Sequence, residues 1–269
     1  MKYLALALFS IFIVSCKQEK KQAPKEEAKQ EKTLEVEVTA YPQELQEVFK
    51  AHGGLDTWKS MKSLTFDIPK PDARETHTIN LHTREDKVVT PNHTIGFSNE
   101  KTWLLDENKD FKGDAVFYHN LMFYFYAMPF VLADDGIIYG ETEPVVYEGK
   151  SYPGVKISYN PGVGASYKDL YFIHFDPDTK QMAWLGYSVS YRSGEVSNNY
   201  SWIHYNDWQT VNGLVLPKSI SWHKAEEGVI KEVRNTVPFE NVTVSKEAKP
   251  ASFFAKPEAA VFVEGKVQE

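Results

Sequence analysis

From Asp114 to Asp135 the chain reads DAVFYHNLMFYFYAMPFVLADD, a run with no Lys or Arg and with acids only at its two ends. Burying each Phe, Leu or Met side chain is worth about 1.5–3 kcal/mol over leaving it in water, so any fold must give this run an interior or a membrane. Gly113 followed by Asp114 marks a helix start, because an N-cap carboxylate accepts from a first-turn N–H, and Pro129 marks its stop. Phe117, Leu121, Tyr124 and Met128 fall on one helical stripe, with Tyr118, Met122 and Phe125 on the stripe beside it. A helix apolar around most of its circumference is buried or membrane-bound. Ala115 to Ala133 is long enough to cross a bilayer. His119, Asn120, the hydroxyls of Tyr118, Tyr124 and Tyr126, and Pro129 speak against a span, as does Lys112 standing alone as a close basic flank. The expectation is one aromatic helix, Asp114–Phe130, plugging the concave face of a β-sheet.

Around this run the hydrophobic period is two. His77, Ile79, Leu81 and Thr83 alternate with their neighbours, and Ile95, Phe97, Trp103 and Leu105 continue the pattern. After the aromatic run come Val145–Tyr147, a Glu148-Gly149 turn, Val155–Tyr159, and Tyr167–Phe175 with an Asp176-Pro177-Asp178-Thr179 turn into Met182–Tyr191. Asn199–Asn206, a Val211-Asn212-Gly213 turn, Leu214–His223 and Val229–Val237 follow. That is about ten or eleven strands interrupted once by a helix, which predicts a mainly β fold with a helical lid: a strongly curved antiparallel sheet forming an unclosed barrel. Before it, Pro42 with Leu45, Val48 and Phe49 predicts a helix ended by Gly53 and Gly54, and Leu55–Met61 a second short one anchored by Trp58.

The N-terminus has a different character. Met1 and Lys2 precede an apolar stretch, Tyr3–Val14, and Ser15 is a small residue before Cys16, which is the one cysteine in the chain. Phe12-Ile13-Val14-Ser15-Cys16 resembles a bacterial lipobox, in which the Cys becomes the lipid-bearing first residue; Ile13 stands where such signals prefer Leu. The expected organisation is a signal peptide over residues 1–15, lipidated Cys16 and a tether over 16–40, and a single domain over 41–269. Lys17–Ala40 is nearly all Lys, Glu, Gln and Ala, too poor in apolar groups to order itself. As a flexible coil it would span on the order of 25–30 Å. Acyl chains of the palmitate type on Cys16 would hold the protein on a membrane, at roughly 0.8 kcal/mol per buried methylene.

The net charge of −7 argues against a nucleic-acid partner, which needs a basic face. With a single Cys there is no disulfide framework or thiolate cluster. The histidines show no recognised metal-ligand spacing: His77 and His82 point to opposite strand faces, and His174 and His204 flank an intervening strand, at least about 9 Å apart. They are expected to be exposed strand or rim residues. Asp176 and Asp178 are expected to shape their turn, and Asp134 and Asp135 to lie in a solvated loop. Gly162-Val163-Gly164-Ala165-Ser166 lacks the third glycine and following helix of a phosphate loop. Neither a G-x-S-x-G elbow nor an H-E-x-x-H helix occurs. Trp184, Trp202, Trp208 and Trp222 are expected to be mostly structural.

Several stretches carry a resemblance: Ala51-His52-Gly53-Gly54-Leu55-Asp56-Thr57-Trp58, Phe175-Asp176-Pro177-Asp178-Thr179, Tyr205-Asn206-Asp207-Trp208, Val211-Asn212-Gly213-Leu214-Val215-Leu216-Pro217 and Ser252-Phe253-Phe254-Ala255-Lys256-Pro257. Together they resemble the periplasmic lipoprotein-carrier and lipoprotein-receptor (Lol-type) superfamily over Tyr41–Pro257, closest to an uncharacterised lipid-anchored branch from Bacteroidota. The resemblance implies a half-barrel whose apolar hollow takes up acyl chains. The expected location is the cell envelope, lipid-anchored on the outer membrane.

The expected function is therefore a non-enzymatic, membrane-anchored envelope lipoprotein that binds a lipid or acyl-chain ligand, with other envelope proteins as further partners and no cofactor or metal. Phe117, Leu121, Met122, Tyr124, Phe125 and Met128 are the expected lid and ligand-binding residues. The alternative is a docking or glycan-binding module whose barrel is permanently plugged; a pocket of roughly a few hundred Å³ favours carriage over it.

Overall fold

A computed structural model describes residues 40–265 apart from 72, 163–166, 192 and 227. The signal segment, Cys16, the tether and most of the Gly162–Ser166 loop lie outside the described residues. The elements run α1 (Gln43–Ala51), α2 (Leu55–Ser60), β1 (Ser63–Lys70), β2 (Ala73–Asn80), β3 (Asp86–Val89), β4 (Thr94–Ser98), β5 (Lys101–Leu105), α3 (Ala115–Tyr118) and α4 (Leu121–Tyr126). A 3-10 turn (Phe130–Ala133) leads to β6 (Ile137–Glu141), β7 (Val145–Tyr147), β8 (Lys150–Tyr152), β9 (Gly154–Tyr159), β10 (Tyr171–Phe175) and β11 (Met182–Tyr187). The chain continues through β12 (Ser201–Val211), β13 (Leu214–Glu226), β14 (Val229–Pro238), β15 (Glu240–Ser245), α5 (Ala251–Phe254) and β16 (Val261–Phe262).

The fold is mainly β and antiparallel, and its large sheets are not closed into a barrel. One sheet has the order β15-β1-β2-β3-β4-β5-β16, the other β14-β13-β12-β11-β10-β9-β6, and β7-β8 forms a separate hairpin. The strands are thus more numerous than their hydrophobic period suggested, β12 and β13 run longer than expected, and the main ladders divide in two. Both sheets nevertheless belong to one ribbon, because edge strand β14 passes into edge strand β15 through the single buried residue Phe239. Turn chemistry fixes the hairpins as expected: Glu148 and Gly149, and Asn212 and Gly213, all have positive φ, as a two-residue type I′ turn requires. Gly96 on β4 makes room for a buried indole, since a Cβ there would lie 2.2 Å from the Trp103 ring.

The aromatic run is helical but not one helix. Asp114 caps it, its carboxylate accepting from Phe117 N at 3.1 Å. The single rod expected from Asp114 to Phe130 is broken at Asn120, whose φ of −113° and ψ of 0° leave the α region, and the run ends in the 3-10 turn. Why it breaks there is visible in the side chains: His119 is drawn toward strand β3, while the next turn faces other partners.

Tyr126 stacks on Phe66 of β1 and packs edge-on against Phe239, whereas Phe125 meets Tyr187 of β11 and Trp222 of β13. Tyr205 of β12 donates its hydroxyl to the Phe125 carbonyl at 2.8 Å. The segment therefore fills the space between the two sheets, and one hydrophobic cluster unites it with both and with α1 and α2. Among the described residues no helix is long and apolar enough to cross a membrane.

Candidate functional site

Two polar side chains are delivered to the inner face of the first sheet by the β2–β3 turn. Asn80 Oδ1 accepts from His82 N and Thr83 N at 3.0 and 3.1 Å, and Arg84 N donates to the Asn80 carbonyl. This tight turn puts Arg84 at φ +62°, an uncommon conformation for a long side chain. Its Nη2 donates to Asp134 Oδ1 at 2.5 Å and its guanidinium lies 5.1 Å above the Phe123 ring, while Nη1 is buried without a partner. Asp134 is thus half-buried and ion-paired, not a solvated loop residue. Burial pushes its carboxyl up against the pull of Arg84.

Two residues on, the pairing of Asp86 with Ile79 turns Asp86 inward. Its Oδ2 accepts from His119 Nδ1 at 2.5 Å, and the His119 ring stacks on Phe97 with centroids 4.7 Å apart. Asp86 is 2% exposed and its Oδ1 has no partner. Burial pushes this carboxyl above its ordinary value, and the His119 hydrogen bond and charge oppose that shift. A second carboxylate–histidine pair lies nearby. Glu75 Oε1 accepts from Tyr118 Oη at 2.6 Å and from His77 Nε2 at 2.8 Å. Burial alone would raise Glu75, but His77, Tyr118 and Lys70 more than offset it and leave the group lowered.

Arg84, Asp86 and His119, but not the Glu75–His77 pair, border a cavity of about 600 Å³ between strands β2–β5, the outer face of α3–α4 and the segment that follows β5's partner β16. Its apolar wall includes Ile79, Phe97, Val116, Phe123, Tyr124 and Phe262; Arg84, Asp86, His119, Asn120 and Thr102 supply polar groups, and Glu100, Lys101 and Glu264 stand at its exposed rim. Arg84 also borders a smaller recess of about 160 Å³ on the side of Trp58 and Phe130.

Of the six expected lid residues the structure brings only Tyr124 to the large cavity. Phe125 faces the second sheet, Met122 and Met128 are buried in the core, Leu121 packs half-buried against that core, and Phe117 lies 4.8 Å from the Tyr191 ring. Sequence reasoning missed the polar set, because Arg84 and Asp86 belong to the β2–β3 connection and the start of β3, and the inward register there is set by strand pairing. His119 was the available signal: one titratable group inside an otherwise uncharged run.

His82 is exposed as expected, but most of the other histidines are not. His52, His77, His119 and His174 are buried, and His204 stacks on Trp184 at 4.0 Å. Burial lowers His52, His174 and His204 to about 4. Among the described residues no group of three His, Cys, Asp or Glu is placed to hold a metal ion. Asp176 acts in its turn as expected, accepting from Asp178 N and Thr179 N.

Residues 68–230 match the model of a family of unknown function, DUF6503. The chain belongs to this family. No curated protein matches the DUF6503 chain. Among solved structures it is similar to a LolA superfamily protein from Nitrosomonas europaea, at 8% identity over 79% of this chain and 97% of that one, with a TM-score of 0.46. It is likewise similar to a DUF1329 family protein from Desulfovibrio piger, at 9% identity over 79% and 95% of the two chains, with a TM-score of 0.48.

Proposed function

We propose that this protein binds an amphipathic ligand, its acyl chain lying in the cavity between α3–α4 and the first sheet, and that lipidated Cys16 anchors it in the bacterial envelope, on the outer membrane. The observation that carries the reading is the cavity itself: about 600 Å³, within the range of small-molecule sites, largely apolar, and with a few convergent polar groups. The anchor, the Bacteroidota origin and Lol-type membership rest on the lipobox-like Phe12–Cys16 and the stretches quoted above. Binding without catalysis is the simpler activity for this wall, and handling of lipids or lipoproteins is the role it would serve. The ligand lies beside the aromatic segment, whose other face is already packed between the sheets.

The test is uptake of the neutral dye N-phenyl-1-naphthylamine by the full folded chain. Saturable one-to-one binding is expected, abolished by Val116→Trp in the cavity wall and retained by Val146→Trp, a change at an exposed position on β7. No saturable uptake, or uptake indifferent to Val116→Trp, refutes the reading.

A second reading has one observation in its favour. On the opposite face of the second sheet, Phe172, His174, Tyr200, Trp202 and Glu143 border a recess of about 240 Å³, an aromatic surface of the kind a sugar ring stacks on. A glycan-docking module would use that face and leave the large cavity empty.

A further inference from the structure

We propose that His119, oriented by Asp86, selects the ligand's head group, and that this head is a neutral hydrogen-bond donor of the hydroxyl class, not a carboxylate. The inference rests on the cavity reading above and adds to it the chemistry of the polar end.

Asp86 has 2% of its surface exposed, and its carboxylate accepts the Nδ1 proton of His119 at 2.5 Å. In a neutral imidazole a proton held on one nitrogen leaves the other as a lone-pair acceptor. In that neutral form Nε2 is the acceptor. The ring cannot readily turn away, because Phe97 stacks on it nearly parallel, at an interplanar angle of 12°. His119 borders the cavity, and Nε2 has no hydrogen-bond partner among the described residues. A buried or half-buried acceptor of this kind is satisfied by a molecule that brings an O–H or N–H.

The charges around it decide against an anion. Asp86 keeps a buried oxygen, Oδ1, without a partner, so the wall beside His119 already holds an incompletely compensated carboxylate. Arg84 would be the natural partner of an acid, but its guanidinium is committed to Asp134 at 2.5 Å and covered on one side by Phe123. Lys101 stands at the exposed rim over Phe262, with Glu100 and Glu264 on the same lining, and water screens all three. A fatty carboxylate would place its charge next to Asp86 with no free cation to answer it. A hydroxyl has a proton for Nε2 and brings no charge to set beside Asp86. Long-chain alcohols and monoacylglycerols carry such a head.

The experiment is displacement of N-phenyl-1-naphthylamine from the full chain at pH 8 by 1-dodecanol, dodecanoate and dodecane, compared at equal free concentration. Dodecanol is expected to displace the dye at a concentration roughly tenfold lower than either of the others, the effect of one well-made hydrogen bond in a desolvated site. His119→Phe keeps a ring against Phe97 but strands the Asp86 charge, so the informative variant is the double change Asp86→Leu with His119→Phe, which removes a buried pair together. With displacement referred to its own dye affinity, it should rank dodecanol no better than dodecane. A wild type that takes up the dye but prefers dodecanoate or shows no preference, or a double variant that keeps the alcohol preference, overturns the head-group inference while leaving the cavity reading intact. Failure of the wild type to take up the dye at all is instead the failure of that reading, and the head-group inference falls with it.

Discussion

His52 couples the start of the domain to the second sheet, and acidification should break that coupling in a measurable way. The ring is fully buried at the C-terminus of α1. Nδ1 donates to the Val215 carbonyl at 2.9 Å and Nε2 accepts from Met182 N at 3.0 Å, so both nitrogens are occupied in the neutral form. Trp208 packs edge-on at 4.5 Å. A second proton would have to sit on Nε2, facing an N–H.

Burial accordingly takes the group from 6.5 down to about 4, although the Val215 bond pulls the other way. The unfolded chain takes up its proton as pH falls through 6.5, while the folded chain resists until about 4. The stabilisation is therefore complete above pH 6.5 and is lost as pH falls toward 4. In full it amounts to about 3 kcal/mol, and about 2 kcal/mol of it is gone by pH 5.

The assay is urea unfolding at pH 8 and pH 5, followed by tryptophan fluorescence, for the wild type and His52→Gln. Glutamine retains a donor and an acceptor but does not titrate, so the loss between the two pH values should shrink by about 2 kcal/mol. His174, lowered in the same sense, and Asp86, raised in the opposite one, are present in both proteins and cancel in the comparison. An unchanged pH dependence in His52→Gln would refute the assignment.

Two tyrosines in the same core should respond oppositely to loss of the hydroxyl. Tyr126 buries its Oη without a partner, so Tyr126→Phe should leave stability unchanged or raise it by about 1 kcal/mol, whereas Tyr205→Phe strips the Phe125 carbonyl of its donor and should cost about 1–3 kcal/mol; the same urea series measures both. For the anchor, Cys16→Ser in the full chain should move the protein from the membrane to the soluble fraction of a bacterial host and abolish metabolic labelling with a palmitate analogue. Labelling that survives the change would exclude Cys16 as the acylated residue.

Much of the fold is legible in the chain because the signals are local. Asp114 caps the aromatic run as its position predicts, Asn212-Gly213 and Glu148-Gly149 set their turns through positive φ, and Leu45, Val48 and Phe49 bury the expected face of α1. What stayed hidden depends on pairing between distant residues. Nothing near Asn120 announces that the helix breaks there, next to a His119 whose ring is held by an aspartate of another element, Asp86. The cavity wall was hidden in the same way. Asp86 is turned inward by its register with Ile79, and Phe262 reaches the wall through the pairing of β16 with β5. The apolar character that marks Met122, Phe125 and Met128 as lid residues in the sequence is what buries them in the core, away from the cavity.

Tyr126 lies between Phe66 of one sheet and Phe239 at the corner where the ribbon crosses into the other. Withdrawing the aromatic segment would unpin both sheets at that seam together. A guest molecule must then lodge beside a permanent occupant, and loading would alter the rim while leaving amide exchange in the interior much as it was.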